Sequence, residues 1–223
     1  MNWQNILLSL PGIILGLTFH EFCHAMAAYK LGDTTARDQG RLSFNPLKHI
    51  DPIGFLFIVV AGFGWAKPVQ FNPQNLRHYR RDKALIAAAG PLANLLLAMI
   101  LILLVKGYMS LDNHFYISEN WNAFYFMNSD AVYYVVYVII EAILINLGLF
   151  VFNLIPLPPL DGSHIFLSWL NLKPETEAQI MKIGAPLLFI IILVQNFANI
   201  QILPIGKLTM AILYFFIPEY KPV

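Results

Sequence analysis

The sequence predicts an all-α polytopic membrane protein: about four to five transmembrane helices plus a re-entrant, strand-like element, in a single domain over residues 1–223. Three observations lead there. Apolar residues make up 58% of the chain and charged residues 12%, roughly half the charged share of an ordinary soluble domain. The mean hydropathy is +0.62. The apolar residues are also gathered into runs near the ~20 residues a helix needs to cross about 30 Å of hydrocarbon, where a helix or closed barrel satisfies its own backbone hydrogen bonds. The formal net charge of +1 excludes nucleic-acid binding through bulk charge, and no basic stretch is interleaved with aromatics for base stacking. Cys23 is the single cysteine, so neither an internal disulfide nor a Cys-x-x-Cys site is available.

The elements follow in order. Residues 6–19 are almost wholly apolar, and the run continues through His20, Glu21 and His24 to about residue 31, a crossing whose polar groups sit in its second half. With no Lys or Arg before it, the run does not read as a cleaved signal peptide. Residues 52–65 contain three glycines between Pro52 and Pro68, too short and too interrupted for a span, which suggests a re-entrant or strand-like element. Residues 84–105 form the second clear span, broken only by Gly90-Pro91 and Asn94. Residues 131–155 form the third and carry Glu141, Asn146 and Asn153. A fourth runs from 183 to 195 and on to about 203, and residues 208–217 are a short apolar tail that either crosses or dips in. No internal repeat or low-complexity tract appears.

Nine of the fourteen Lys and Arg (Lys30, Arg37, Arg41, Lys48, Lys67, Arg77, Arg80, Arg81, Lys83) lie between positions 30 and 83. Residues 108–130 have none but hold Asp112, Glu119 and Asp130. The positive-inside tendency then puts 31–83 in the cytoplasm and the N-terminus outside. A small chain without organelle signals points to a prokaryotic plasma membrane.

The strongest local signal is His20-Glu21-Phe22-Cys23-His24. Residues four apart share a helix face, so His20 and His24 can offer imidazole nitrogens to one metal with Glu21 beside it. Imidazole suits zinc, and a catalytic zinc takes three protein ligands and keeps one position for water. Three ionisable groups on one turn of a membrane helix are expensive, about 2.5–3.5 kcal/mol for a charge at a helix centre, and a metal in a wet cavity compensates them. Glu21 is the candidate proton acceptor. For the third ligand, prolines end the third span and Gly162 permits a turn that exposes Asp161 on non-helical backbone. His164 is the rival, better suited to a hydrogen bond behind the ligands. Asn94 and Asn153 are expected either to bond between helices or to donate to a substrate backbone or oxyanion. Glu141 reads as neutral or paired in the bundle, and His49, His78 and His114 as solvated loop residues. Cys23 reads as a packing residue, and Trp3, Tyr108 and Tyr220 as interface anchors.

Five ordered blocks carry a resemblance over most of the chain: 19–25 (FHEFCHA), 42–54 (LSFNPLKHIDPIG), 64–69 (GWAKPV), 89–94 (AGPLAN) and 152–162 (FNLIPLPPLDG). Together they resemble the site-2 protease family, the membrane-embedded zinc metalloproteases. The resemblance implies one Zn2+ per chain held by His20, His24 and Asp161, Glu21 as catalytic carboxylate, and Trp65, Ala66 and Lys67 within an edge strand that receives an unwound substrate. An edge strand would replace the hydrogen bonds a transmembrane helix loses on unwinding. The expected partners are a transmembrane protein or peptide substrate and the lipid bilayer, with cleavage near the cytoplasmic face. Some family members carry a PDZ or CBS domain, for which this sequence has no room, so substrate choice is expected to rest on membrane access, short loops or partners. A homo-oligomer or a regulatory membrane partner remains open. The rival reading is a zinc or proton transporter using the same His and carboxylate cluster.

Overall fold

The computed structural model describes residues 3–61, 64–111, 130–170, 172–198 and 201–218. Eight α-helices occur among them: α1 (Trp3–Lys30), α2 (Thr35–Asp38), α3 (Pro52–Ala61), α4 (Tyr79–Leu111), α5 (Asp130–Asn153), α6 (Asp161–Trp169), α7 (Pro174–Ala198) and α8 (Ile205–Phe216). Four of these contain stretches long and apolar enough to cross a membrane, at Ile6–Lys30, Tyr79–Ser110, Tyr134–Asn153 and Glu175–Gln195. α8, with 12 residues, is about 18 Å long and shorter than the hydrocarbon layer. Much of the acidic loop used to argue orientation, together with His114 and Tyr220, lies outside the described residues.

Helix boundaries run past the apolar segments where charged residues continue the backbone pattern. α4 begins five residues before the predicted span because Asp82, in its first turn, accepts the His78 N–H at 2.9 Å. α7 starts with Pro174, followed by Glu175 and Glu177, a residue order suited to the open N–H groups of a helix start.

The strand-like expectation for residues 52–65 is corrected. The segment opens as the ten-residue helix α3. Asp51 Oδ1 accepts the Gly54 N–H at 2.8 Å and Pro52 occupies the first helical position, a start signal that outweighs the glycines. Strand-type pairing among the described residues is a single antiparallel bridge, Ile50 to Ala66, with Lys67 N donating to His49 O at 2.8 Å.

α1, α4 and α5 form the central bundle, α6 lies on α4 and α8 on α5. The core includes Ile102, Ile140, Ile143, Leu147, Leu213 and Ile217. α1 meets α5 through Gly12 and Gly16: a Cβ on Gly12 would stand 2.7 Å from Ala142 Cα, and one on Gly16 3.0 Å from Asn146 Oδ1. Small residues four apart thus bring two backbones together, as is common between membrane helices. Glu141 accepts from Ser9 Oγ at 3.3 Å within this bundle.

Beyond α1, Asp33 is fully buried. Its carboxylate accepts Thr35 N (3.1 Å), Thr35 Oγ1 (2.6 Å), Asn72 N (2.8 Å) and Asn75 Nδ2 (2.7 Å), tying the end of α1 to the approach to α4. Burial alone would raise the Asp33 carboxyl, but the hydrogen bonds from Thr35, Asn75 and Asn72 outweigh it and hold the group below the usual carboxylate value. A depressed folded value means stability present above the unfolded pKa of about 3.9 and lost as pH falls through the folded value. Asp33→Ala is therefore expected to destabilise the chain by about 2 kcal/mol or more at neutral pH and by less in acid. Thermal unfolding of the detergent-solubilised chain at neutral and acidic pH checks this, and equal losses at both would contradict it.

Candidate metal centre

His20, Glu21 and His24 occupy one turn of α1 and are all buried. The two imidazole Nε2 atoms face each other at 3.0 Å. Asp161 Oδ2 completes a triangle, 3.1 Å from His20 Nε2 and 3.3 Å from His24 Nε2. Asp161 does not stand on non-helical backbone as expected: it is the first residue of α6. Gly162 is likewise not a turn glycine but a close-approach one, because its Cβ would lie 2.6 Å from Ile155 O and still nearer the Leu154 carbonyl. The Pro-rich segment thus folds back onto the start of α6 and sets Asp161 against α1.

The ring protons are engaged elsewhere. His24 Nδ1 lies 2.7 Å from Ile86 O, which only accepts, so the hydrogen-bond network assigns the proton to Nδ1. His20 Nδ1 lies 2.7 Å from Asn94 Oδ1. Asn94 Nδ2 donates to Gly16 O (3.0 Å) and Asn146 Oδ1 (2.9 Å), so its oxygen is the atom left for His20. Both Nε2 atoms therefore present lone pairs to a buried Asp161 Oδ2 that has no hydrogen-bond donor. Three acceptors held this closely repel unless a cation lies among them. Zinc bonds of about 2.0–2.2 Å in a tetrahedron put ligand atoms roughly 3.3–3.6 Å apart, so the observed edges of 3.0, 3.1 and 3.3 Å lie at or a few tenths of an ångström below that range. His20, His24 and Asp161 also form a group able to hold a metal ion on donor chemistry and proximity. Gly90 of α4 forms the wall here, since a Cβ would stand 2.6 Å from His24 Cε1 and 2.7 Å from His20 Cε1 and closer still to His24 Nε2.

Glu21 sits on the other flank. Its Oε2 accepts the Val69 N–H at 3.0 Å and lies 3.8 Å from Arg41 Nη2. Arg41, also buried, donates to the carbonyls of Pro68 (3.2 Å) and Lys67. The segment carrying Trp65, Ala66 and Lys67 is thereby fastened beside Glu21. Sequence reading missed Arg41, whose position in a polar loop carried no distinguishing signal. His49 corrects an expectation: it is fully buried, not solvated. Its Nε2 donates to Ser43 O at 2.6 Å and burial pushes the imidazole down, so the ring pins the loop under residues 65–69.

Of the two expectations for Asn94, the structure shows the interhelical one, with donors to α1 and α5. Asn94 is fully buried behind His20 with both amide protons engaged, so it has no donor for substrate or oxyanion. Asn153 Nδ2 donates to Leu149 O at 3.0 Å, one turn back in α5. His164 lies one turn along α6 from Asp161, and its Nδ1 is buried without a hydrogen-bond partner. Gly90 and Asn146 are the contributions the sequence reading left without a role. Gly90 was legible only as a break in a span, and Asn146 as an amide within one.

The profile of Peptidase family M50 matches residues 9–194. The chain belongs to this family, that of the site-2 proteases. The resemblance drawn from the motif blocks is thus borne out, and with four apolar helices the M50 chain is a multi-pass membrane protein. It is 44% identical over 156 residues to "Putative zinc metalloprotease YwhC" of Bacillus subtilis, covering 69% of this chain and 64% of that one. It is 28% identical over 176 residues to "Putative zinc metalloprotease Rip2" of Mycolicibacterium smegmatis, covering 77% and 60%. The Rip2 protein of Mycobacterium tuberculosis is 27% identical over 175 residues, covering 75% and 58%. The chain therefore spans less than two thirds of the length of these relatives. No solved structure matches it.

The wall position gives a direct test. Gly90→Ala is expected to lower zinc retention of the purified M50 chain by about tenfold or more, as disturbing groups next to metal ligands commonly does. Metal analysis after equilibration with a chelator measures it, and retention equal to wild type would show that a methyl group can be accommodated.

Proposed function

We propose that this chain is an intramembrane zinc metalloprotease that hydrolyses peptide bonds of membrane-spanning or membrane-proximal substrates near the cytoplasmic face. The observation that carries the reading is the convergence of two imidazole lone pairs and one donorless carboxylate oxygen within 3.3 Å of one another. His20, His24 and Asp161 would hold one zinc ion, in keeping with the names of the relatives. When bound, zinc supplies Lewis acidity and lowers the pKa of a water toward about 7.

Glu21, adjacent to His20, receives the proton of the attacking water and returns it to the departing amine nitrogen. Arg41 and the Val69 N–H orient its carboxylate. The substrate must be unwound first, since a helix keeps its peptide groups bonded to one another. The Ile50–Ala66 bridge supports an acceptor edge for it. Lys67 N bonds inward to His49 O, so Ile50 and Ala66 face each other as a non-hydrogen-bonded pair. The peptide groups of Ala66 then turn away from Ile50, toward where an extended substrate would add. Trp65 and Lys67 flank this position with exposed side chains. In this reading α3, whose Ile53, Leu56, Phe57 and Val60 are exposed, is the re-entrant element and rests in the bilayer. The excess of Lys and Arg between positions 30 and 83 supports a cytoplasmic active site and an external N-terminus, and the bacterial relatives are in keeping with a prokaryotic plasma membrane.

The test is cleavage of a transmembrane peptide by the purified full chain in proteoliposomes. Glu21→Gln is expected to lower turnover by about 10²-fold or more while zinc content stays at the wild-type level. His20→Ala and Asp161→Ala are expected to lose zinc and activity together, and a chelator to inhibit reversibly. Turnover by Glu21→Gln at the wild-type rate, or zinc flux into sealed vesicles without any cleavage, would overturn the proposal.

A further inference from the structure

α5 contributes no ligand to the triangle, yet its Asn146 reaches the centre through two hydrogen bonds. Asn146 is fully buried, as is Asn94. Asn146 Nδ2 donates to Ala142 O at 2.8 Å, in its own helix, which sets its oxygen outward toward α4. That oxygen accepts from Asn94 Nδ2 at 2.9 Å. Asn94 Oδ1 in turn faces His20 Nδ1 at 2.7 Å. The chain of amides crosses from α5 through α4 to α1, and Gly16 makes room for it, because a Cβ there would stand 3.0 Å from Asn146 Oδ1 and 3.3 Å from its Nδ2.

We propose that Asn146 is a positioning residue for the metal centre: by holding the Asn94 amide in one orientation, it keeps the His20 proton on Nδ1 and the Nε2 lone pair on the metal side. The physical reason is the two-faced nature of an amide. If Asn94 turned over, its NH2 would meet His20 Nδ1 and favour the tautomer with a proton on Nε2, in the space the ligand lone pair must occupy. Gly16 O alone resists that reversal weakly, whereas Asn146 adds a second acceptor that a flipped Asn94 would oppose oxygen to oxygen. With both amides fully buried, no bulk water is at hand to take the place of the missing partner. The two histidines differ in this respect. His24 is held by a backbone carbonyl, Ile86 O, which no substitution of a side chain removes, while His20 depends on side chains from two other helices. A plain interhelical hydrogen bond would stabilise the bundle without acting on the metal, and the two roles separate experimentally.

This role rests on His20, His24 and Asp161 holding zinc, and the experiment keeps the two claims apart. Zinc affinity of the purified chain in detergent is measured by competition with a chromophoric chelator, and the visible spectrum of the cobalt-substituted chain reports ligand geometry. Asn146→Leu is expected to weaken zinc binding about 10- to 100-fold and to alter the cobalt spectrum, the range usual for groups that orient metal-bound histidines. Asn94→Leu is expected to do the same. Ile140→Ala, a core change in the same helix, is expected to lower thermal stability while zinc affinity and the cobalt spectrum stay as in wild type. If the leucine variant does not fold, Asn146→Ala carries the test with the same expected loss. An Asn146 variant that folds and binds zinc and cobalt as wild type does would overturn the positioning role alone. A wild-type chain that binds no zinc, or binds it equally well after His20→Ala, would overturn the zinc reading and this role with it.

Discussion

Mutual repulsion among three buried lone pairs is the constraint around which this molecule is arranged. His20 Nε2, His24 Nε2 and Asp161 Oδ2 come within 3.3 Å of one another in a place where water is scarce. Buried acceptors without donors are costly, and in surroundings of low dielectric the cost grows. Such a triangle persists only if its members are held from behind. The backing is visible for each: Ile86 O behind His24, the Asn94 amide behind His20, and the folded-back Pro-rich segment that delivers Asp161 at the start of α6. Gly90 completes the arrangement by having no side chain to put in the centre.

A second buried polar framework lies outside the bundle, in the connection between α1 and α4. Asp33 gathers four donors from Thr35, Asn72 and Asn75, Arg41 collects the carbonyls of Lys67 and Pro68, and His49 joins Ser43 to the same region. Beside the small apolar cluster of Ala28, Leu76 and Ile86, this connection is held by charge-assisted hydrogen bonds, most of them to backbone groups. Its effect is to lay residues 65–69 alongside Glu21, so the carboxylate and the extended segment become parts of one assembly. α7 is different in kind. Its apolar surface is largely exposed, and the Lys83–Glu177 ion pair and the contact of Gly184 with Pro158 tie it to the rest. In a multi-pass membrane protein such exposed faces meet lipid, which needs no explanation beyond the solvent.

The extent to which this was legible in the sequence follows from the range of each signal. Apolar run length depends on no other part of the chain, so the four candidate spans and the shortness of α8 were readable at once. His20 and His24 were readable because helical periodicity alone puts residues four apart on one face. The strand-like expectation for 52–65 failed because glycine content was weighed above the Asp51-Pro52 helix start. The solvated reading of His49 failed because composition of a loop says nothing of what covers it.

Local chemistry along the chain therefore determined the solvent, the helices and the pair of imidazoles, each a property of neighbours within a turn or a run. Tertiary structure decided which tautomer those imidazoles adopt, that Asp161 Oδ2 arrives between them, that Asn94 stands behind His20 instead of facing substrate, and that Arg41 lies beside Glu21. These depend on contacts between residues 20 to 141 positions apart, and on glycines whose value is the absence of an atom. Such distances and absences have no periodicity, so they come into being only when the helices close.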